Sequence, residues 1–217
     1  MPWSGFWAKA MASDVMLIMT NTQYVKGEYL NRVPLLNSWL TLEVINANAP
    51  MSEVRVSALS IQRMLKTLSM NVFTKKAKLR NPRLIDLEQR IHVVVDYAQE
   101  GDSYMLEILN ILLIREIGRH LKLACTFMPA VYDTRGETTT ERLVRFIEQN
   151  IGPACTYMSG AGGLNYLQAE YIPQEMKVMI QDWLTPPDKN SIVQLIAQDS
   201  EYPTRLPEQV VWKPFTQ

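Results

Sequence analysis

Apolar positions along the chain follow two rhythms. Val15, Met16, Leu17, Ile18 and Met19 form an unbroken apolar run that stops at Thr20, Asn21 and Thr22. That is the pattern of a buried strand opening into a loop. Residues 39–44 alternate apolar and polar side chains, which predicts a strand with one wet face. Ile61, Leu65, Leu68 and Val72 share one helical face. Leu84, Leu87, Ile91 and Val94 or Val95 form a second stripe, and Leu106, Leu109, Leu113, Ile117 and Leu121 a third. Residues 93–95 have a strand-like composition, but the surrounding period is helical. Residues 123–128 predict a strand closed by Pro129. Thr138 and Glu141 make a T-x-x-E capping box that starts a helix, with Leu143, Phe146 and Ile147 facing inward. A strand at 154–158, a glycine-rich loop at 159–163, a helix beginning at 164–169 and a strand at 177–180 follow. Pro186 and Pro187 precede a last helix at 191–198. The tail from about 199 to 217 carries Pro203, Pro207 and Pro214 and reads as extended chain on the surface.

Strands alternating with helices in the second half predict an α/β fold, a largely parallel sheet covered by helices. The 217 residues read as a single domain. With 47% hydrophobic and 20% charged residues, the chain is neither a disordered nor a membrane composition. No apolar run nears the ~20 residues that span a bilayer. The first nine residues lack the basic-then-apolar order of a signal peptide. Cys125 and Cys155 sit among apolar residues and read as buried free thiols, which suits a cytoplasmic protein.

Charge changes the picture more than composition does. The 22 basic and 22 acidic residues cancel, yet residues 54–85 contain no acid. They hold Arg55, Arg63, Lys66, Lys75, Lys76, Lys78, Arg80 and Arg83, and 75–83 alone has five bases in nine residues. Residues 86–107 reverse the sign, with Asp86, Glu88, Asp96, Glu100, Asp102 and Glu107. A one-signed block creates a local field that net charge conceals. Contact between Arg63, Lys66, Lys75, Lys76, Lys78, Arg80 or Arg83 and a nucleic-acid backbone stands level with a solvated helix face as its reading.

Candidate chemistry clusters in four places. Ser159, Gly160, Gly162 and Gly163 fall between a strand and a helix, where backbone N–H groups can point at an anion. A tight turn needing positive φ explains the glycines equally well, and no Walker ending follows. Arg142, one turn into the capped helix beside Arg135 and Gly136, suits a carboxylate or phosphate, although a capping box with a solvated arginine is the stronger reading of these residues alone. Gln23, Tyr24, Lys26, Asn31 and Arg32 follow the first strand's carboxyl end, the edge where open α/β sheets bind ligands. There Lys26 and Arg32 suit an anion and Gln23 and Asn31 a polar ligand, and a polar surface loop explains them equally well. Asp14 and Asp182 are candidate general bases, and Asp14 is as easily a helix-end or turn residue. His92 and His120 are far apart and read as structural or surface residues. No metal or other cofactor is called for.

Several of these residues fall into a known order. Pro2-Trp3, Gly5-Phe6-Trp7, Lys9, Ser13-Asp14-Val15, Gln23-Tyr24-x-Lys26, Asn31-Arg32 and Trp39-Leu40-Thr41 come first. Thr140-Glu141-Arg142-Leu143, Tyr157-x-Ser159-Gly160-x-Gly162-Gly163-x-x-Tyr166-Leu167, Gln181-Asp182-Trp183 and Ser191-Ile192-Val193 follow. Over residues 2–196 this resembles the WbqC-like family. The departures are local. The family pattern has a His- or Gln-Pro pair shortly before Pro2, an acidic pair where Asn21 and Thr22 stand, and commonly an Asp at Gln194. The resemblance implies a transferase that moves an amino acid, glycine favoured, onto an activated acceptor. The family occurs in sugar-polymer gene clusters, so a sugar in O-antigen or polysaccharide synthesis is one expected acceptor. The basic block favours another, pyrophosphorylated hydroxymethyl-uracil in bacteriophage DNA, which places the protein in the host cytoplasm. A non-catalytic nucleic-acid-binding module and a nucleotide-sugar enzyme are the remaining readings.

Overall fold

The computed structural model describes residues 2–132 and 135–216. The chain opens with α1 (Ser4–Met11), which buries Trp7, Ala8 and Ala10. Gly5 is needed there because the Trp3 ring lies against it, where any Cβ would fall inside the indole. Strand β1 (Val15–Thr20) ends at Asn21, whose left-handed φ of 56° suits asparagine. A hairpin of β2 (Arg32–Leu35) and β3 (Ser38–Thr41) follows. Its turn residues Leu36 and Asn37 have φ of 52° and 60°, the signs a two-residue I′ turn requires. Leucine disfavours that region. A bond from the Leu36 N–H to Gln194 Oε1 at 2.8 Å ties the turn to the rest of the fold.

Strand β4 (Arg55–Ser57) feeds α2 (Ala58–Asn71), then α3 (Lys75–Arg80) and α4 (Arg83–Tyr97). Ser57 and Thr74 cap α2 and α3 by accepting from the Ser60 and Ala77 N–H groups. The expected stripes are buried except for half-buried Leu65, and Val93 is 67% exposed, which settles residues 93–95 as helix. Short strands β5 (Gln99–Glu100) and β6 (Ser103–Met105) precede α5 (Leu106–His120), whose Leu106, Leu109, Leu113 and Ile117 are enclosed. The Arg90–Glu116 ion pair and a hydrogen bond between His120 and Asp86 then join α4 to α5.

Strand β7 (Thr126–Val131) runs through Pro129, which pairs with Ile18, so the proline does not close it. The strand lies at the edge of its two-stranded sheet, where a missing N–H is tolerated. Helix α6 (Thr139–Asn150) has the expected capping box. The Glu141 N–H donates to Thr138 Oγ1 at 3.1 Å, and the Thr138 N–H donates to Glu141 Oε2 at 2.8 Å. Strands β8 (Thr156–Ser159) and β9 (Lys177–Trp183), helices α7 (Ile192–Gln198) and α8 (Tyr202–Arg205) and strand β10 (Val210–Pro214) complete the chain. The tail is therefore more than surface coil. Its β10 extends the β8–β9 sheet antiparallel to β9.

The fold is α/β, but parallel pairing is confined to β1 with β7 and β8 with β9. The ribbons β2–β3 and β4–β6–β5 are antiparallel. The expectation of a largely parallel sheet is thus only partly met, because β1 and β8 do not pair and the middle of the chain uses its strands in short ribbons. A large core joins α1, α2, α4, α5 and α7. A smaller one sits under α6 against β8 and β9, from Leu143, Val144, Ile147, Met176, Val178 and Ile180.

Candidate functional site

The carboxyl ends of the parallel strands meet on one edge. Beyond β1 and β7, Asn21 and Tyr132 exchange bonds, with the Tyr132 N–H donating to Asn21 Oδ1 at 2.8 Å and Asn21 Nδ2 to the Tyr132 carbonyl at 3.3 Å. Tyr132 packs on Phe146 of α6 at 5.4 Å, and Tyr157 of β8 lies within electrostatic reach of it. Tyr157 shares side-chain hydrogen bonds with Tyr166 and Ser159. Burial, then Tyr166, push its hydroxyl well above the usual tyrosine range. The edge thus collects three tyrosines, Tyr132, Tyr157 and Tyr166.

The glycine turn leaves this same edge. No α-helix follows it; residues 161–165 make a 3-10 turn and 169–171 another, so the expected helix N-terminus is absent. Positive φ does not explain the glycines either. Gly27, Gly101, Gly136 and Gly152 have it, whereas Gly160, Gly162 and Gly163 do not. Close approach does explain one of them. A Cβ on Gly163 would collide with Ser159 Oγ and come within 3.1 Å of Leu167 Cδ1. Gly160 and Gly162 face open space. Gly163→Ala is therefore expected to cost about 1–3 kcal/mol, and Gly160→Ala or Gly162→Ala under ~0.5 kcal/mol. Urea unfolding of the three variants checks this, and equal losses would refute the close-approach explanation. Thr140 ties the start of α6 to the turn, since its Oγ1 donates to the Tyr166 carbonyl at 2.8 Å and accepts from the Gln168 N–H at 3.1 Å. Half-buried Arg142 sits on that first turn of α6, with no ion pair among the described residues.

The segment after β1 reaches the edge through aromatic rings. Trp183 ends β9 and stacks on Trp3 (centroids 6.4 Å, 27°); Trp3 stacks on Tyr29 (6.3 Å, 29°), and Tyr29 meets Trp39 at 5.7 Å. The Arg32 guanidinium lies 4.2 Å over Trp39. Tyr29 and Trp39 are 45% and 46% exposed. Arg32 also donates to the Gly27 carbonyl. Its Nε, and Oδ1 of Asn31, are buried without a protein partner among the described residues, while Asn31 Nδ2 is fixed on the Leu42 carbonyl at 2.8 Å. Gln23 donates to the Ala49 carbonyl at 3.2 Å, Tyr24 is buried and raised by that burial, and Lys26 is exposed. These rings are the part of the site that sequence reasoning missed. Three of the chain's five tryptophans lie in the row, a compositional signal that spacing hides because the members stand at 3, 29, 39 and 183.

The two candidate bases are placed differently. Asp14 lies before the amino end of β1, roughly 20 Å from Asn21 at ~3.3 Å per residue. Asp182 is on the carboxyl edge, paired with Lys213 of β10, and that hydrogen bond and charge hold its carboxyl below the usual range. A carboxylate stabilised in this way is a weaker base.

The basic block is spread over α2, α3 and α4. Lys78 pairs with Glu88 and Arg55 with Glu100, so part of it is neutralised by the acidic stretch that follows. Arg63, Lys66, Lys75, Lys76, Arg80 and Arg83 are exposed and make no ion pair among the described residues. Both cysteines are free, and burial raises both thiols, so neither is primed as a nucleophile. Among the described residues no cluster of three His, Cys, Asp or Glu is suited to a metal, and no helix is long and apolar enough to cross a membrane.

A cavity of about 520 Å³ lies behind this edge, between β1, β8 and α6. Asp14 and Tyr157 line it, as does Lys9, whose amine burial holds below its usual pKa. Neither Lys26, Arg32 nor the glycines do.

The model of the WbqC-like protein family matches residues 1–189. The chain belongs to the WbqC-like family. No curated protein and no solved structure matches it. The WbqC-like stretch contains all four parallel strands, the aromatic row, the glycine turn and the capped start of α6, whereas α7 and β10 lie beyond it.

Proposed function

We propose that the protein is a transferase that joins the amine of an amino acid, glycine favoured, to an activated pyrimidine in DNA. The acceptor is pyrophosphorylated hydroxymethyl-uracil, as in the thymidine hypermodification of bacterial viruses. The observation that carries this reading is the aromatic row Trp183–Trp3–Tyr29–Trp39, exposed at Tyr29 and Trp39, with Arg32 and the unpartnered Asn31 Oδ1 and Arg32 Nε beside it. Exposed rings next to a cation suit an unstacked base and its phosphate. A buried acceptor without a partner suits an ammonium or amine, and a buried donor suits an anionic oxygen.

In the reaction the donor nitrogen bonds to the methylene carbon of the uracil as the carbon–oxygen bond to pyrophosphate breaks. Pyrophosphate leaves with that electron pair, and the ammonium proton passes to water, since Asp182 is already occupied by Lys213. Lys26, Arg32 and Arg142 supply positive charge where the leaving group develops its own, the usual main electrostatic contribution at such sites. The unpaired cations of α2, α3 and α4 would hold the DNA backbone.

Aromatic rings also suit a sugar face, so amino-acid transfer to a sugar-linked acceptor in polysaccharide synthesis is the second reading. The deciding experiment incubates the protein with isotopically labelled glycine and DNA containing pyrophosphorylated hydroxymethyl-uracil, then digests the DNA for nucleoside mass spectrometry. Label on a modified nucleoside is expected. Label on a nucleotide sugar, and none on DNA, would reverse the order of the two readings.

A further inference from the structure

Helix α4 has four sides, and three of them are occupied. Leu84, Leu87, Ile91 and Val94 face the main core. Glu88 pairs with Lys78 of α3 on one flank, and Arg90 pairs with Glu116 of α5 at 3.1 Å on the other. At roughly 100° per residue, Ile85, Gln89, Val93 and Asp96 fall on the remaining side. All four are exposed, as is Tyr97 at the helix end. A solvent face gains nothing from two β-branched apolar residues two turns apart, and both are weaker helix formers than the polar residues usual there. Val93 is also the one valine of the 93–95 run that the core does not use. We propose that this face is the interface of a symmetric dimer, in which α4 packs antiparallel on α4 of a second copy with the two-fold axis at Gln89.

Charge decides both the partner and the direction. Helix α4 begins where the acid-free stretch 54–85 ends and then runs through the acidic stretch that follows, so its two ends carry fields of opposite sign. Arg83 stands at the amino end and Asp96 near the carboxyl end. Both are exposed, and neither makes an ion pair among the described residues. Such a surface is complementary to itself only when reversed. Along the axis, Ile85 and Val93 each lie ~6 Å from Gln89, while Arg83 and Asp96 lie ~9 and ~10.5 Å from it, in opposite directions. An antiparallel copy therefore sets Ile85 against the partner's Val93 and Arg83 against the partner's Asp96, each twice, as a self-complementary two-fold contact requires. Gln89 meets its own copy on the axis, where two amides donate to and accept from each other. Tyr97, one residue beyond Asp96, brings a ring to the partner's Arg83. A parallel pairing would put Arg83 on Arg83 and Asp96 on Asp96, and like charges in register repel.

The inference is independent of the transferase reading, and of the cations offered to DNA it draws on Arg83 alone. Its test is sedimentation equilibrium of the whole chain at concentrations up to ~100 μM, where a mass of twice the chain is expected. Val93→Glu, at a position exposed in the monomer, should raise the dissociation constant at least ~10-fold and leave the far-ultraviolet circular dichroism unchanged. Arg83→Asp and Asp96→Arg should each weaken the dimer. The double variant should regain it, because the antiparallel register exchanges these two charges across the axis. A monomer throughout the range would overturn the proposal. A dimer that Val93→Glu leaves intact would place the interface on another face and overturn it as well, and a double variant no tighter than either single one would overturn the antiparallel register.

Discussion

Replacing Trp7 by alanine is expected to cost about 3–5 kcal/mol of folding stability. The side chain is fully buried, its indole N–H donates to the Pro2 carbonyl at 3.1 Å, and its ring meets Phe6 at 5.3 Å and Phe127 at 5.9 Å, both edge to face. One residue thus fastens α1 to β7 and to the start of the chain, so the alanine variant loses apolar burial, two ring contacts and a buried hydrogen bond together. Domains keep only ~5–15 kcal/mol in hand, so the loss would be plain in equilibrium urea unfolding. Trp7→Phe keeps much of the ring packing and should cost clearly less. A loss under ~1 kcal/mol for the alanine variant would mean that α1 contributes little to the main core.

The second large effect concerns DNA and salt. Arg63, Lys66, Lys75, Lys76, Arg80 and Arg83 are the exposed cations of α2, α3 and α4 that no carboxylate neutralises among the described residues. Six cations that all reach phosphates give a slope of log K against log salt near −5, so raising salt from about 50 to 200 mM weakens binding about 10³-fold. The triple variant Lys75→Ala, Lys76→Ala, Arg80→Ala should lower that slope by about 3 and leave the fold intact, because none of the three side chains is buried. Lys78→Ala should move it little, since Lys78 is already paired with Glu88. Fluorescence anisotropy across a salt series measures both. A slope that the triple variant leaves unchanged would remove these helices from the nucleic-acid interface.

How legible each part was depends on whether its cause is local. The stripes of α2, α4 and α5 and the Thr138–Glu141 box are set by neighbours within one or two turns, and the sequence shows them directly. The strand β2 and its turn were hidden because Leu36 adopts positive φ, supported by the bond its N–H donates to Gln194, 158 positions away. Pro129 suggested a strand end because nothing nearby reveals that β7 is an edge. The glycine turn pointed to an anion site before a helix, while Gly163 in fact answers to the Ser159 side chain. The basic block looked wholly uncompensated because Glu88 and Glu100 reach it only through tertiary contact. The aromatic row was invisible for the same reason, as its rings come from three distant parts of the chain.

The small core beneath α6 has a dynamic consequence. It draws on residues 143–180, with Phe215 packed beside it, and shares none of its fully buried members with the larger core. Cooperative units of a protein open at separate free energies when few apolar contacts couple them. The segment from α6 to β9, residues 143–180, which carries the glycine turn, is therefore built to breathe as a unit while the body that includes α7 stays closed, and a ligand bound across the two would suppress that motion.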